Sequence, residues 1–266
     1  MKIIKNKTIL ITGASSGIGK ACAQQLAKAN NTILLVARSA DRLEELSIEL
    51  KKHHSEIFFF SVDLADDISV ESWSEMIRSK FGAPDILINC AGAGRWLTLE
   101  ETPSNEIKDL IDSPLRLTMN VCKAFIADMV KRNSGQIIAL NSIACYFSFA
   151  GATGYIASRA GLLGFMNALY EDNYLNSIQI SSLVAGKVDS PYFTSNQGSA
   201  ERIPKIALQL AKTMSVNEVA EKVEKLILKP KKVKIIPFSL SIVVYLNRFF
   251  PAIVQWMIRK SSFKNS

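Results

Sequence analysis

Residues 8–19 read Thr8-Ile9-Leu10-Ile11-Thr12-Gly13-Ala14-Ser15-Ser16-Gly17-Ile18-Gly19. Thr8–Thr12 is a short apolar, β-branched run and predicts a buried strand. Gly17–Ala29 carries small and apolar residues at helical spacing and predicts a helix. The glycines between them permit a tight turn and let backbone N–H groups approach a pyrophosphate at the helix N-terminus. Spaced glycines alone are weak evidence. Their place between a strand and a helix gives them weight as a dinucleotide site.

Outward from this turn the pattern repeats. Strands are expected at Thr32–Ala37, Ile57–Val62, Asp85–Ile88, Gln136–Leu140, Ser177–Val184 and Val233–Ile236. Helices are expected at Asp41–Lys52, Ser69–Phe81, Thr153–Tyr174 and Val216–Leu228, with Ser104–Arg132 mainly helical and interrupted at Pro114. Strands alternating with crossover helices give an α/β fold, a doubly wound parallel sheet of about seven strands in a single domain. That domain is expected over residues 1–237, with an apolar, basic tail at 238–266.

The 266 residues are 48% hydrophobic and 21% charged, which suits one folded domain rather than disorder. Residues 229–266 hold eight basic residues and no acid, so the whole net charge of +8 arises there. A nucleic-acid surface on the main domain is not expected. The four cysteines lack ligand spacing, so no metal site and no disulfide framework is expected, and reduced thiols suit a cytoplasmic setting. His53 and His54 read as a solvated loop. The apolar run after the basic N-terminus stops at the glycine turn, too short for a secretory leader.

The second strand ends Val36-Ala37-Arg38-Ser39. An acid here would bind a ribose 2′-hydroxyl, whereas Arg38 can pair with a 2′-phosphate, so NADP(H) is the expected cofactor. The other reading of Arg38 is a solvated surface side chain. Asp63, ending the third strand, suits the adenine amine or equally a helix cap.

With these residues in place, the chain resembles the short-chain dehydrogenase/reductase family over about residues 6–236. Thr12–Gly19 is similar to the family's TGxxxGxG turn. Asn89-Cys90-Ala91-Gly92 is similar to its NNAG motif, and Ser142 and Tyr155 stand at the usual serine–tyrosine spacing. Val184–Ser190 lies where the family has a PG…T segment beside the nicotinamide. The resemblance implies cofactor contacts from Gly13, Ser15, Ser16, Gly17, Ile18, Gly19, Arg38, Asp63, Asn89, Ala91, Gly92, Tyr155, Arg159, Gly186 and Val188.

It also implies catalysis by Ser142, Tyr155 and Arg159. Tyr155 would protonate the substrate carbonyl as hydride arrives, and Ser142 would orient that oxygen. A free tyrosine titrates near ~10, so work at neutrality calls for ~4 kcal/mol of phenolate stabilisation. The family draws much of this from a lysine four residues on, and here that residue is Arg159. Arginine keeps the charge but cannot pass on a proton. The family's helix asparagine falls at about Pro114, and Asn120 is displaced from it. These departures leave a second reading open: a catalytically impaired nucleotide-binding regulatory or interaction protein.

Trp96, Tyr146, Phe147, Phe149, Tyr192 and Phe193 form an expected apolar group around one opening, favouring a small lipophilic carbonyl or alcohol substrate. Residues 191–204 suit a lid. In the tail, Arg248 and Pro251 argue against a membrane span. Phe238–Phe250 and Pro251–Lys260 suit helices lying at a membrane interface, or a segment packed on its own domain or a partner subunit. A homo-oligomer is implied by the resemblance. The expected location is cytoplasmic, peripheral on a membrane through the tail.

Overall fold

The computed structural model describes residues 3–173 and 176–263. Strand β1 (Thr8–Thr12) leads into helix α1 (Gly17–Leu26), then β2 (Thr32–Ala37), α2 (Ala40–Leu50), β3 (Glu56–Ser61), α3 (Asp67–Phe81) and β4 (Ile86–Asn89). Next come α4 (Ile107–Ile111), α5 (Leu117–Arg132), β5 (Gly135–Ser142), α6 (Thr153–Asn173) and β6 (Ile178–Ala185). The expected end of α6 at Tyr174 lies outside the described residues. The last part holds β7 (Val188–Asp189), α7 (Pro191–Ser195), α8 (Lys205–Leu210), β8 (Met214–Ser215), α9 (Val216–Leu228), β9 (Val233–Ile236), α10 (Phe238–Phe249) and α11 (Pro251–Ser261).

Seven strands form one parallel sheet in the order β3-β2-β1-β4-β5-β6-β9. Strand order reverses at β1, so a crevice opens between the ends of β1 and β4, where doubly wound sheets bind ligands. The central strands are buried on both faces, which is why they read as continuous apolar runs rather than alternating ones. One face packs Ile9, Ile11 and Ile33 against α1, α2 and α9; the other packs Leu10, Leu87 and Ile137 against α3, α5 and α6.

Several boundaries move for local reasons. Helix α1 stops at Leu26, short of Ala29, because the Asn31 amide donates to the carbonyls of Leu26 and Ile4, 3.0 Å each, and turns the chain. Between α4 and α5 the chain breaks at Ser113 (φ −107°, ψ 114°), the extended conformation that a following proline favours. Helix α9 begins at a capping box in which Ser215 and Glu218 satisfy each other's backbone N–H groups. The pairing of β7 with β8 closes a loop that carries α7 and α8, an arrangement the sequence pattern did not announce.

Residues 238–261 pack as a helical hairpin. Leu240 of α10 is buried beside Gly186, and Val254 and Ile258 of α11 cover Phe147.

Candidate active site

Thr12 closes the end of β1. Its hydroxyl accepts from the N–H groups of Cys90 and Ala91, both at 3.1 Å, and so fixes the end of β4 against the glycine turn. That brace leaves no room for side chains. A Cβ on Gly13, which sits at φ +64°, would lie 2.8 Å from the Ala91 nitrogen, and one on Gly19 would overlap the Gly13 carbonyl. The result is a bare backbone cradle at the N-terminus of α1, suited to a pyrophosphate.

The cradle is one end of a cavity of about 1160 Å³. Gly13, Ser15, Ser16, Gly17, Ile18, Gly19, Arg38, Asp63, Ala91, Gly92, Gly186 and Val188 line it, together with Ser142, Tyr155 and Arg159. Asn89 does not line the cavity. Its side chain is buried beneath the cavity, with the amide 4.0 Å from Cys122 Sγ, because it falls on the inward-facing end of β4. The motif acts there through the backbone of Cys90 and Ala91.

Arg38 is exposed at the cavity rim and has no acidic partner among the described residues. Arg42, in the first turn of α2, lines the same rim. The sequence reading did not include it; Arg38 precedes α2, so no helical spacing links the two, and Arg42 is held at the rim by its Nε donating to Ser39 Oγ at 3.1 Å. Asp63 is turned onto its own loop, its carboxylate accepting from the Ala65 N–H at 3.0 Å.

At the other end, Tyr155 and Arg159 project from successive turns of α6. The Arg159 guanidinium carbon lies 4.9 Å from the centre of the Tyr155 ring. Arg159 is 8% exposed; one terminal nitrogen donates to the Leu140 carbonyl at 3.2 Å, while Nε has no partner among the described residues. A buried cation with a spare donor suits a hydroxyl-bearing ligand. Asn141 holds both neighbours in place: its amide donates to the Arg159 carbonyl at 3.0 Å, and its oxygen accepts from the Ser142 N–H at 2.8 Å. The Ser142 hydroxyl accepts from the Ala144 N–H at 3.2 Å, leaving its own hydrogen to donate.

The apolar wall differs from expectation in its membership. Trp96, Phe149, Tyr192 and Phe193 line the cavity, but Tyr146 and Phe147 turn away and pack under the C-terminal hairpin. The short 3-10 turn Ile143–Cys145 after Ser142 redirects them. Tyr192 donates to the Gly94 carbonyl and accepts from the Trp96 indole N–H at 3.0 Å. Burial pushes its phenol well above the ordinary tyrosine range, so it remains protonated. The 191–204 segment is tied down by Arg202, whose two terminal nitrogens contact Glu101 at 2.6 and 2.8 Å. Asn120 does not line the cavity; its amide donates to the Leu64 carbonyl and the Asp67 carboxylate, 2.9 Å each.

Comparison with known proteins agrees with this geometry. Residues 7–201 match the family model described as short chain dehydrogenase. The chain is 33% identical over 173 residues to dehydrogenase/reductase SDR family member 7 of Mus musculus, a match spanning 64% of this chain and about half (51%) of the mouse protein. It is 32% identical over 187 residues to the 3-oxoacyl-(acyl-carrier-protein) reductase FabG of Pseudomonas aeruginosa, spanning 70% of this chain and 76% of that protein. The solved alcohol dehydrogenase of the archaeon Thermococcus sibiricus, complexed with 5-hydroxy-NADP, is similar at a TM-score of 0.75 and 27% identity, over 87% of this chain and 95% of that one. The fold, the glycine cradle and these matches together place the chain in the short-chain dehydrogenase/reductase family of oxidoreductases.

Proposed function

We propose that the chain is an NADP(H)-dependent oxidoreductase that interconverts a lipophilic ketone and its alcohol. One observation carries the reading: Ser142, Tyr155 and Arg159 share a single cavity with the glycine cradle and the Arg38 rim. The cofactor fits the residues present, because the cradle excludes side chains, Arg159 Nε has a free donor, and Arg38 and Arg42 stand ready for a 2′-phosphate.

NADPH, when bound, supplies the hydride. The chain's own residues do the rest. Tyr155 gives its phenolic proton to the substrate oxygen, and Ser142 donates a hydrogen bond to that same oxygen and fixes its position. Arg159 stabilises the charge that develops on the phenol. It acts as a fixed cation, since a guanidinium does not release a proton in this pH range. Trp96, Phe149 and Phe193 exclude water and favour an apolar substrate body.

The test is NADPH consumption by the purified chain against steroid, sphingoid and long-chain acyl ketones. Turnover on one of these classes supports the reading; tight NADPH binding with turnover on none opposes it. That second outcome would favour a nucleotide-binding regulatory protein, for which Arg159 in place of the family's lysine is the motivating observation.

A further inference from the structure

Among the described residues no helix is long and apolar enough to cross a membrane. Helices α10 and α11 have 12 and 11 residues, so each is roughly 17 Å long, against about 30 Å of bilayer hydrocarbon. Yet their outer surface is strongly apolar. Phe238, Ile242, Tyr245 and Phe249 recur at helical spacing along α10, and all are exposed. Ile253, Trp256 and Met257 continue the patch on α11 and are exposed too. The inner faces are committed to the protein, through Leu240 at the cavity wall and through Val254 and Ile258 against Phe147. The hairpin is therefore a fixed structure with one unpartnered face.

Charge identifies the occupant. Arg248, Arg259 and Lys260 are exposed on the hairpin, and none has an acidic partner among the described residues. The segment 229–266 contains no acid at all. The Lys260 ammonium sits 5.1 Å from the Trp256 ring centre, so a cation and an amphipathic aromatic lie side by side, as at a headgroup layer. We infer that the α10–α11 hairpin is a docking surface for an anionic lipid bilayer, lying in its plane with the apolar face in the acyl boundary. A second copy of the chain fits less well. An isologous contact sets a patch against itself and would gather these unpaired cations at one interface.

Docking uses neither Tyr155 nor a bound nucleotide, so it stands or falls apart from the catalytic reading. The test is cosedimentation of the full chain with vesicles of phosphatidylcholine alone and of phosphatidylcholine with phosphatidylserine. Binding should require phosphatidylserine and weaken with added salt. Arg248→Gln and Lys260→Gln should each lower partitioning roughly fivefold. The double variant Phe249→Ser with Trp256→Ser should abolish it at an unchanged melting temperature, because both side chains are exposed. Failure to bind phosphatidylserine vesicles, or partitioning indifferent to these substitutions, overturns the proposal. So does a wild-type dimer that the double variant splits while vesicles bind neither form.

Discussion

Arg159 stacks on Tyr155: the guanidinium carbon lies 4.9 Å from the ring centre, one helical turn along α6. The pair places a permanent charge against the phenol in the cavity wall. An uncompensated buried cation is costly. The ring face, the Leu140 carbonyl and a bound ligand are the compensations this site offers.

Charge at position 159 should therefore matter more than shape. Arg159→Gln is expected to lower kcat by about a hundredfold or more, the scale of losing one electrostatic partner of the transition state. Arg159→Lys should stay within about tenfold of the parent. Steady-state kinetics of the two variants checks this; a fully active Gln variant would show that the cation has no part in turnover.

Arg38 should set cofactor choice. Replacing it with Ala removes a charge-assisted contact of about 1.5–3 kcal/mol, or roughly ten- to a hundredfold in NADPH affinity. NADH affinity should barely change. Fluorescence titration with both nucleotides measures the ratio, and an equal loss for the two would assign Arg38 to something other than the 2′-phosphate.

Gly19→Ala should destroy the cradle, since the added methyl overlaps the Gly13 carbonyl. Nucleotide binding is expected to vanish and the melting temperature to fall. Gly164, inside α6, where an added Cβ meets nothing within 4 Å, is the matched control: Gly164→Ala should leave nucleotide binding unchanged and raise the melting temperature slightly, because alanine is the better helix former.

The Glu101–Arg202 pair predicts an acid-sensitive segment. Arg202, followed by the Thr98 backbone N–H, holds the Glu101 carboxyl down to about 2 from its ordinary 4.5. A depressed folded-state value means the contribution is fully present above about pH 4.5 and is lost as pH falls toward about 2. The protection of amide hydrogens across residues 196–204, relative to their intrinsic exchange rate at each pH, should fall through that window. Glu101→Gln should show faster exchange already at neutral pH and lack the acid step.

Much of the fold was legible because its signals are local. Thr8–Thr12, Thr32–Ala37, Val216–Leu228 and Val233–Ile236 were expected at the bounds observed, each an uninterrupted apolar or amphipathic segment between turn residues. The candidate site was legible where a motif ties residue type to backbone geometry, as at Gly13 and Gly19. It was not legible where side-chain direction decides. Nothing in the run Tyr146-Phe147-Ser148-Phe149 says that only the last faces the cavity. Asn89 is buried at the end of β4, a side-chain direction the motif alone does not state. Thr12 Oγ1 and Asn141 owe their roles to neighbours far away in sequence, and Arg42 to where α2 begins, which a linear pattern does not display.

If Tyr155 delivers the proton in a nucleotide-loaded cavity, single-turnover oxidation of NADPH by the parent and by Tyr155→Phe, with a ketone the parent accepts and with NADPH titration of both, will separate proton delivery from binding. The Phe variant should be slower by about a hundredfold or more, with an NADPH affinity close to the parent's. An unchanged rate would contradict that role and move the proton donor to another residue.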